Sequence, residues 1–244
     1  MNILLTNDDG VHHPGLIALA NELRKKHRVI IVAPEKERSA CSHNISLHQP
    51  VRFKEISTDT YSSDGYPADC VKFSLKGFLT DEIHFVASGI NSGPNMGHDV
   101  FYSGTVAGAR EGLINKIPSA AFSLNAWGET ADFNHPARYS AKLIDKLLDK
   151  YYKNNEMFNI NFPANGNYKG EKITKLGTRV FKEIVIKRKD PMGREYFWLG
   201  GEIPEHKPEQ DTDFTAVENG FVSITPLSLE VTHMELFKRL KDAP

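Results

Sequence analysis

In the stretch "NILLTNDDG", residues 2–10, two carboxylates stand side by side where an apolar run stops. Like charges at the edge of a core repel, and a divalent cation relieves that repulsion. One aspartate there would read as a turn or a helix cap. Two of them, Asp8 and Asp9, read as anchors for a metal. Further oxygen donors follow: Ser39 in "KERSACSH", and Asn91 and Asn95 in "INSGPN". Taken singly, the serine reads as a cap and the asparagines as turn residues. As a set they are hard ligands without a thiolate, which suits magnesium or manganese. The stretch "YSGTVAGAREG" then sets Ser103, Gly104 and Thr105 at the start of a helical pattern. Amide groups at a helix start and the helix dipole favour an anion, and small residues let it approach the backbone. Close helix–sheet packing is the plainer reading of the same small residues. The chemistry such a set would do is cation-assisted handling of a phosphate.

The neighbouring charged residues add less. Lys36 and Arg38 could steer an anion inward, but exposed basic residues are usually only solvated. His12 and His13 raise zinc, yet adjacent histidines in an extended segment point apart, and no second histidine cluster has ligand spacing. His43 and His98 are candidates for general acids or plain loop histidines. Neither a Walker lysine pattern nor G-x-G-x-x-G follows the first apolar run, so an ordinary P-loop or dinucleotide site is not expected.

These residues need a frame, and the apolar runs supply one. "NILLT" (2–6), "RVIIVA" (28–33), "IHFVAS" (83–88), "PSAAFS" (118–123) and "FNINF" (158–162) are nearly continuous hydrophobics, as in parallel strands covered on both faces. Between them "PGLIALANELRKKH" opens with Pro14 and puts Leu16, Ile17, Ala20 and Leu23 on one face. "NHPARYSAKLIDKLLDKYY" does the same with Ala137, Ala141, Ile144, Leu148 and Tyr151. The alternation predicts right-handed crossovers and a doubly wound sheet. Ligands bind at the carboxyl edge of such a sheet, where the loops holding Asp8, Ser39 and Asn91 would emerge together.

The rest is read more coarsely. Ser46 to Asp64 is expected to be extended, with a short helix near "PADCVKFSLKGF". Asp190, Pro191, Met192 and Gly193 mark a hairpin turn within "RVFKEIVIKRKDPMGREYFWLGGE". "IPEHKPEQDTD" reads as loop, "GFVSITPL" as strand and "HMELFKRLKD" as a closing helix. No internal repeat or low-complexity tract is present.

The bulk numbers bound the partners. Thirty basic and thirty-one acidic residues give a formal net charge of −1, so no general positive field awaits a nucleic acid polymer or an anionic membrane. The basic–aromatic stretch around "VIKRKD" accordingly reads as a solvated hairpin or a subunit contact. With 244 residues and 40% hydrophobics the chain suits one large α/β domain, or one domain with an extension. No secretory leader pattern and no membrane-length apolar run are seen, so a cytoplasmic protein is expected. Cys41 and Cys70, the two cysteines, make neither a disulfide framework nor a zinc knuckle.

The motifs "ILLTNDDG", "VAPEKERSACSH", "GYPADCV", "SGINSGPNMGHDVFYSGTVAGAREG", "INFP" and "GFVSITPL", in this order along nearly the whole chain, resemble the SurE family of survival-protein nucleotidases. The resemblance implies a Rossmann-like three-layer α/β/α fold with a mostly parallel sheet, plus a β-hairpin and a C-terminal extension used in oligomerisation. It implies a single domain, with residues 1–170 as catalytic core and 171–244 as hairpin arm and extension. The implied activity is hydrolysis of nucleoside 5′- and 3′-monophosphates, and of short polyphosphate in some members, with one magnesium or manganese ion per subunit. Carried over by position, Asp8, Asp9, Ser39 and Asn91 are the implied metal ligands, and Asp8 and Asp9 the catalytic residues. Asn95, Ser103, Gly104 and Thr105 match positions lining the phosphate pocket. A homodimer or homotetramer is implied, with roughly Val180 to Trp198 and the segment after Gly220 reaching a partner. Two rivals are a signalling receiver domain, for which the chain is too long and no suitable later aspartate ends a strand, and a nucleotide-binding module without catalysis.

Overall fold

The computed structural model of the chain describes residues 1–127, 131–150, 156–201 and 205–242. The N-terminal part runs β1 (Asn2–Thr6), α1 (Pro14–Leu23), β2 (Arg28–Pro34), β3 (Phe53–Ser57), β4 (Thr60–Ser63) and α2 (Pro67–Phe73). It continues through β5 (Phe85–Ser92), α3 (Gly104–Ile114), β6 (Ser119–Leu124), α4 (Asn134–Lys150) and β7 (Met157–Phe162). The remainder comprises β8 (Glu171–Ile173), β9 (Arg179–Val180), β10 (Glu183–Lys189), β11 (Glu195–Gly201), β12 (Glu205–His206), α5 (Asp213–Glu218), β13 (Val222–Leu227) and α6 (Met234–Lys241). Among the described residues no helix is long and apolar enough to cross a membrane.

The central sheet has the order β3-β4-β2-β1-β5-β6-β7-β13-β8. From β4 to β7 every neighbouring pair is parallel. In chain order those strands read 3-2-1-4-5-6, the Rossmann-like order whose direction of winding reverses between β1 and β5. The strands' side chains alternate between the two faces. Ile3 and Leu5 join Val29, Ile31 and Phe122 under α1 and α4, while Leu4, Ile30, Val32 and Val86 pack on the other face with Cys70 and Val71 of α2. Val106, Ala109 and Leu113 of α3 cover the β6–β7 end of that second face. This makes three layers, and it explains why the runs are apolar throughout instead of alternating.

Several sequence expectations shift. On α1 the buried stripe is Leu16, Leu19, Ala20 and Leu23, and Ile17 is 43% exposed. Ile17 lies about 100° round the helix from Leu16, outside the face that meets the sheet. The helix also ends at Leu23, before the basic cluster. On α4, Ala137 and Ile144 are buried and Ala141 and Leu148 half-buried, while Tyr151 lies outside the described residues. The third strand starts at Phe85 and runs to Ser92, so Asn91 is an in-strand residue, beside a register shift between Ser88 and Asn91. The expected loop "IPEHKPEQDTD" holds the short β12, and α5 starts at its last residue, capped by Thr212, whose hydroxyl accepts from the Thr215 amide at 3.3 Å. The hairpin forms as expected from β10 and β11.

Phe122 lies fully buried in β6, and Phe122→Ala is expected to lower unfolding free energy by about 3–5 kcal/mol in urea titration. Ile17→Ala, on the exposed side of α1, is expected to cost less than about 1 kcal/mol in the same experiment.

Candidate functional site

At the reversal point the chain leaves β1 through Asn7, whose side-chain amide is buried and donates to the Gly10 carbonyl at 2.9 Å. That brace turns Asp8 inward, leaving it 4% exposed, and sets Asp9 half-buried at the rim. The loop after β2 is pinned to this turn by the Arg38 amide donating to the Asp8 carbonyl at 2.7 Å. It is pinned to the α3 start by the Ser42 amide and hydroxyl, which donate to the carbonyls of Tyr102 and Phe101 at 2.8 and 2.6 Å. From β5, the Ser92 amide donates to Asp9 Oδ2 at 3.3 Å. Three loops and a helix start are thus tied together at the carboxyl edge of the sheet.

Helix α3 begins beside the acids. Ser103 is its N-cap, with its hydroxyl accepting from the Val106 amide at 3.1 Å. Gly104 allows a close approach: a Cβ there would meet Cys41 Sγ at 2.6 Å and Asp8 Oδ2 at 2.9 Å. Thr105 is buried and its hydroxyl donates to Asp8 Oδ1, with Asn91 Oδ1 at 3.3 Å. A hydroxyl has one proton, and the nearer carboxylate takes it. Asn91 Nδ2 donates to the Gly93 carbonyl at 2.7 Å, which leaves Asn91 Oδ1 as an uncommitted acceptor beside Asp8. Ser39 is exposed on the loop after β2, its hydroxyl donating to Glu37 Oε1 at 2.7 Å.

The electrostatics are one-sided. Burial pushes the Asp8 carboxyl up to about 6, against the Thr105 hydrogen bond, and the charge of Asp9 adds to the rise. Burial likewise lifts Asp9 to about 6, opposed by the Ser92 amide and aided by Glu37. His13 Nδ1 lies 3.6 Å from Asp9 Oδ2, but that nitrogen accepts the Gly15 amide at 3.1 Å in capping α1. A nitrogen that accepts has no proton to give, so the cap describes His13 better than an ion pair. Among the described residues no group of three His, Cys, Asp or Glu forms a metal cluster, so any cation here would rest on two carboxylates, an amide oxygen and a hydroxyl. That donor set fits a hard divalent ion. Asp8, Ser39, Asn91, Asn95 and Ser103 line one cleft of about 510 Å³.

Asn95 has a support the sequence did not reveal. Its amide donates to Asn161 Oδ1 at 2.9 Å and its Nδ2 to Ser123 Oγ at 2.8 Å. Asn159 and Asn161, both on β7, donate back to its carbonyl at 2.7 and 3.1 Å. The signal was present as polar residues at alternate positions of "FNINF", a buried strand with one polar face. Tyr102, Trp127, Arg179 and His206 line the same cleft. Arg179 is paired with Asp99 and stacked 4.7 Å over Phe214. Lys36 and Arg38 do not reach the cleft: Lys36 lies 3.8 Å from Glu35, and Arg38 donates to the Asp64 carbonyl at 2.7 Å. His43 faces Glu111 at 2.9 Å, and His12 and His98 are exposed.

A doubly wound α/β protein with an oxygen-rich acidic cleft at its switch point is the class that fold and site define. Residues 3–183 match the family model described as Survival protein SurE. A 5′-nucleotidase SurE from Herpetosiphon aurantiacus is 42% identical over 100% of this chain and 98% of its own length. One from Moorella thermoacetica is 44% identical over 96% and 92%. The crystal structure of the SurE protein from Aquifex aeolicus superposes with a TM-score of 0.86 at 40% identity, covering 99% of this chain and 98% of that one. The chain belongs to the SurE family.

The acid pair has a consequence for stability. A carboxyl whose folded pKa is raised binds its proton more tightly when folded, so stability falls as pH rises from about 4 to about 6 and stays lowered above. Asp8→Asn removes one such charge. In chelator at pH 7.5 this variant is expected to melt at or above the wild-type temperature in scanning calorimetry, and at pH 4 the difference is expected to vanish.

Proposed function

We infer that this chain hydrolyses phosphate monoesters of nucleosides, 5′ and 3′, to nucleoside and phosphate, and cleaves short polyphosphate. Membership of a family whose relatives are named 5′-nucleotidases makes it a hydrolase. The observation that carries the reading is the geometry around Asp8. Buried Asp8 and half-buried Asp9, both lifted to about 6, adjoin the Asn91 amide oxygen and a helix start, and Asp8, Asn91 and Ser103 line a cleft large enough for a nucleotide. Asp8, Asp9, Ser39 and Asn91 are proposed to hold one magnesium or manganese ion, with Ser39 turning from Glu37 to do so. A bound dication there supplies charge neutralisation, polarisation of the phosphoryl oxygens and a water of lowered pKa.

The chain's own residues do the rest. Thr105 fixes the Asp8 carboxylate, and the Ser92 amide fixes Asp9. The start of α3 at Ser103, Gly104 and Thr105 sets a dipole favouring the anion, and Asn95 lines the same cleft with its side chain held by Ser123. Asp8 is assigned the proton of the attacking water and Asp9 a ligand role. Trapping a phospho-aspartate at Asp8 would reverse that assignment.

The same reading takes residues 171–244 as an arm and extension on a catalytic core of 1–170. The β10–β11 hairpin exposes Val185, Phe197, Trp198 and Leu199, and α6 exposes Phe237 and Leu240. Such apolar faces fit a homodimer or homotetramer in which these elements are exchanged. A cytoplasmic location completes the proposal.

Free phosphate released from nucleoside monophosphates with manganese is expected to stop on adding chelator. Asp8→Asn and Asp9→Asn are each expected to lower kcat by at least about 100-fold. Full activity in both variants would remove the site assignment. Metal-dependent nucleotide binding without release would favour a binding module instead.

A further inference from the structure

Trp127 is a large apolar side chain left 76% exposed inside the cleft that holds Asp8 and Asn91. Isolated exposed hydrophobics are common on surfaces, but this one sits in a concave wall and is backed by main chain. A Cβ added at Gly93 would meet the indole's Cζ3 at 2.4 Å, Cη2 at 2.7 Å and Cε3 at 2.8 Å. Three consecutive atoms of the six-membered ring therefore rest against the Gly93 α-carbon. Gly93 itself has a φ of +108°, a conformation side-chain-bearing residues rarely adopt. Its amide donates to the Leu124 carbonyl at 3.0 Å, and its carbonyl accepts Asn91 Nδ2 at 2.7 Å. The ring is thus seated on the same short turn that orients Asn91, with most of its surface open to water.

We propose that Trp127 is the platform on which the nucleobase of the substrate stacks. The proposal rests on the nucleotidase reading above and extends it to recognition of the base. A nucleoside monophosphate has a charged end and a flat aromatic end. The cleft offers oxygen donors and a helix start near Asp8, and an open indole face on another part of its wall. Stacking uses the π-face that every base has, so recognition by Trp127 is tolerant of base identity. Gly93 is the matching requirement: any side chain there displaces the indole.

The test compares adenosine 5′-monophosphate, uridine 5′-monophosphate and ribose 5-phosphate as substrates of the wild type, Trp127→Ala and Trp127→Phe. The advantage of either nucleotide over ribose 5-phosphate, as a ratio of kcat/KM, is expected to fall about tenfold in Trp127→Ala, through KM. Trp127→Phe is expected to restore most of it. An unchanged ratio, or an equal loss for all three substrates, would overturn the proposal, the latter by showing that the indole only braces the Asn91 turn. If the wild type cleaves none of the three, the nucleotidase reading fails, and the platform is judged separately by fluorescence. In a Trp198→Phe background Trp127 is the sole tryptophan. Quenching of its emission by adenosine supports the platform, and no quenching refutes it.

Discussion

Two like charges, adjacent in sequence and withdrawn from water, cannot sit at the edge of a core unless the surrounding structure compensates them. The Asp8–Asp9 pair imposes that constraint, and much of the architecture answers it. The Thr105 hydroxyl and the Ser92 amide each stabilise one carboxylate, and the start of α3 lies beside Asp8. These contributions do not suffice, because burial still wins and both acids stay lifted to about 6. The folded chain therefore holds a deficit of positive charge that a divalent ion from solution is suited to fill.

Where that deficit sits follows from sheet topology. The winding reverses between β1 and β5, so the loops after these strands diverge and leave a crevice between them. Its Asn95 wall is braced by two buried asparagines of β7, which hydrogen-bond the Asn95 backbone. A second tie comes from Asp213 of α5, which accepts the amides of Gly97 and Gly177 at 2.7 and 2.9 Å. Burial raises the Asp213 carboxyl, and those amides oppose the rise. The C-terminal part of the chain thus anchors the loop after β5 as well as adding β8 and β13 to the sheet.

Much of this was legible in the residues. Strand–helix alternation gave the parallel sheet, and the acid pair at the end of the first apolar run marked the cleft. Asn91 lines the cleft from within β5, where the hydrophobic pattern places a loop, because a register shift in β5 leaves no trace in that pattern. Ile17 reads as part of the buried face because its apolar character fits either side of a narrow stripe, and only the packing of α1 on the sheet decides that it is exposed. Helix α5, with Phe214, Ala216 and Val217 buried, is only six residues long, too short to declare a helical period in sequence. The alternation of "FNINF" marks a polar face on β7, but the partners of its asparagines and of Trp127 lie far away in sequence, which spacing alone does not encode.

The positive charge near the cleft is engaged away from the acid pair. Lys36 turns to Glu35, Arg38 to the Asp64 carbonyl and across the Tyr66 ring at 5.1 Å, and Arg179 is neutralised by Asp99. A lysine fixed against Asp8 and Asp9 would stabilise the free protein, since it would satisfy the pair permanently. It would also fill the position that an exchangeable cation and its water need, and a fixed ammonium cannot lower the pKa of a bound water as a metal does. Keeping the acids unsatisfied costs stability in the free chain and preserves an open, reactive position, the trade usual where stability and activity compete for the same residues.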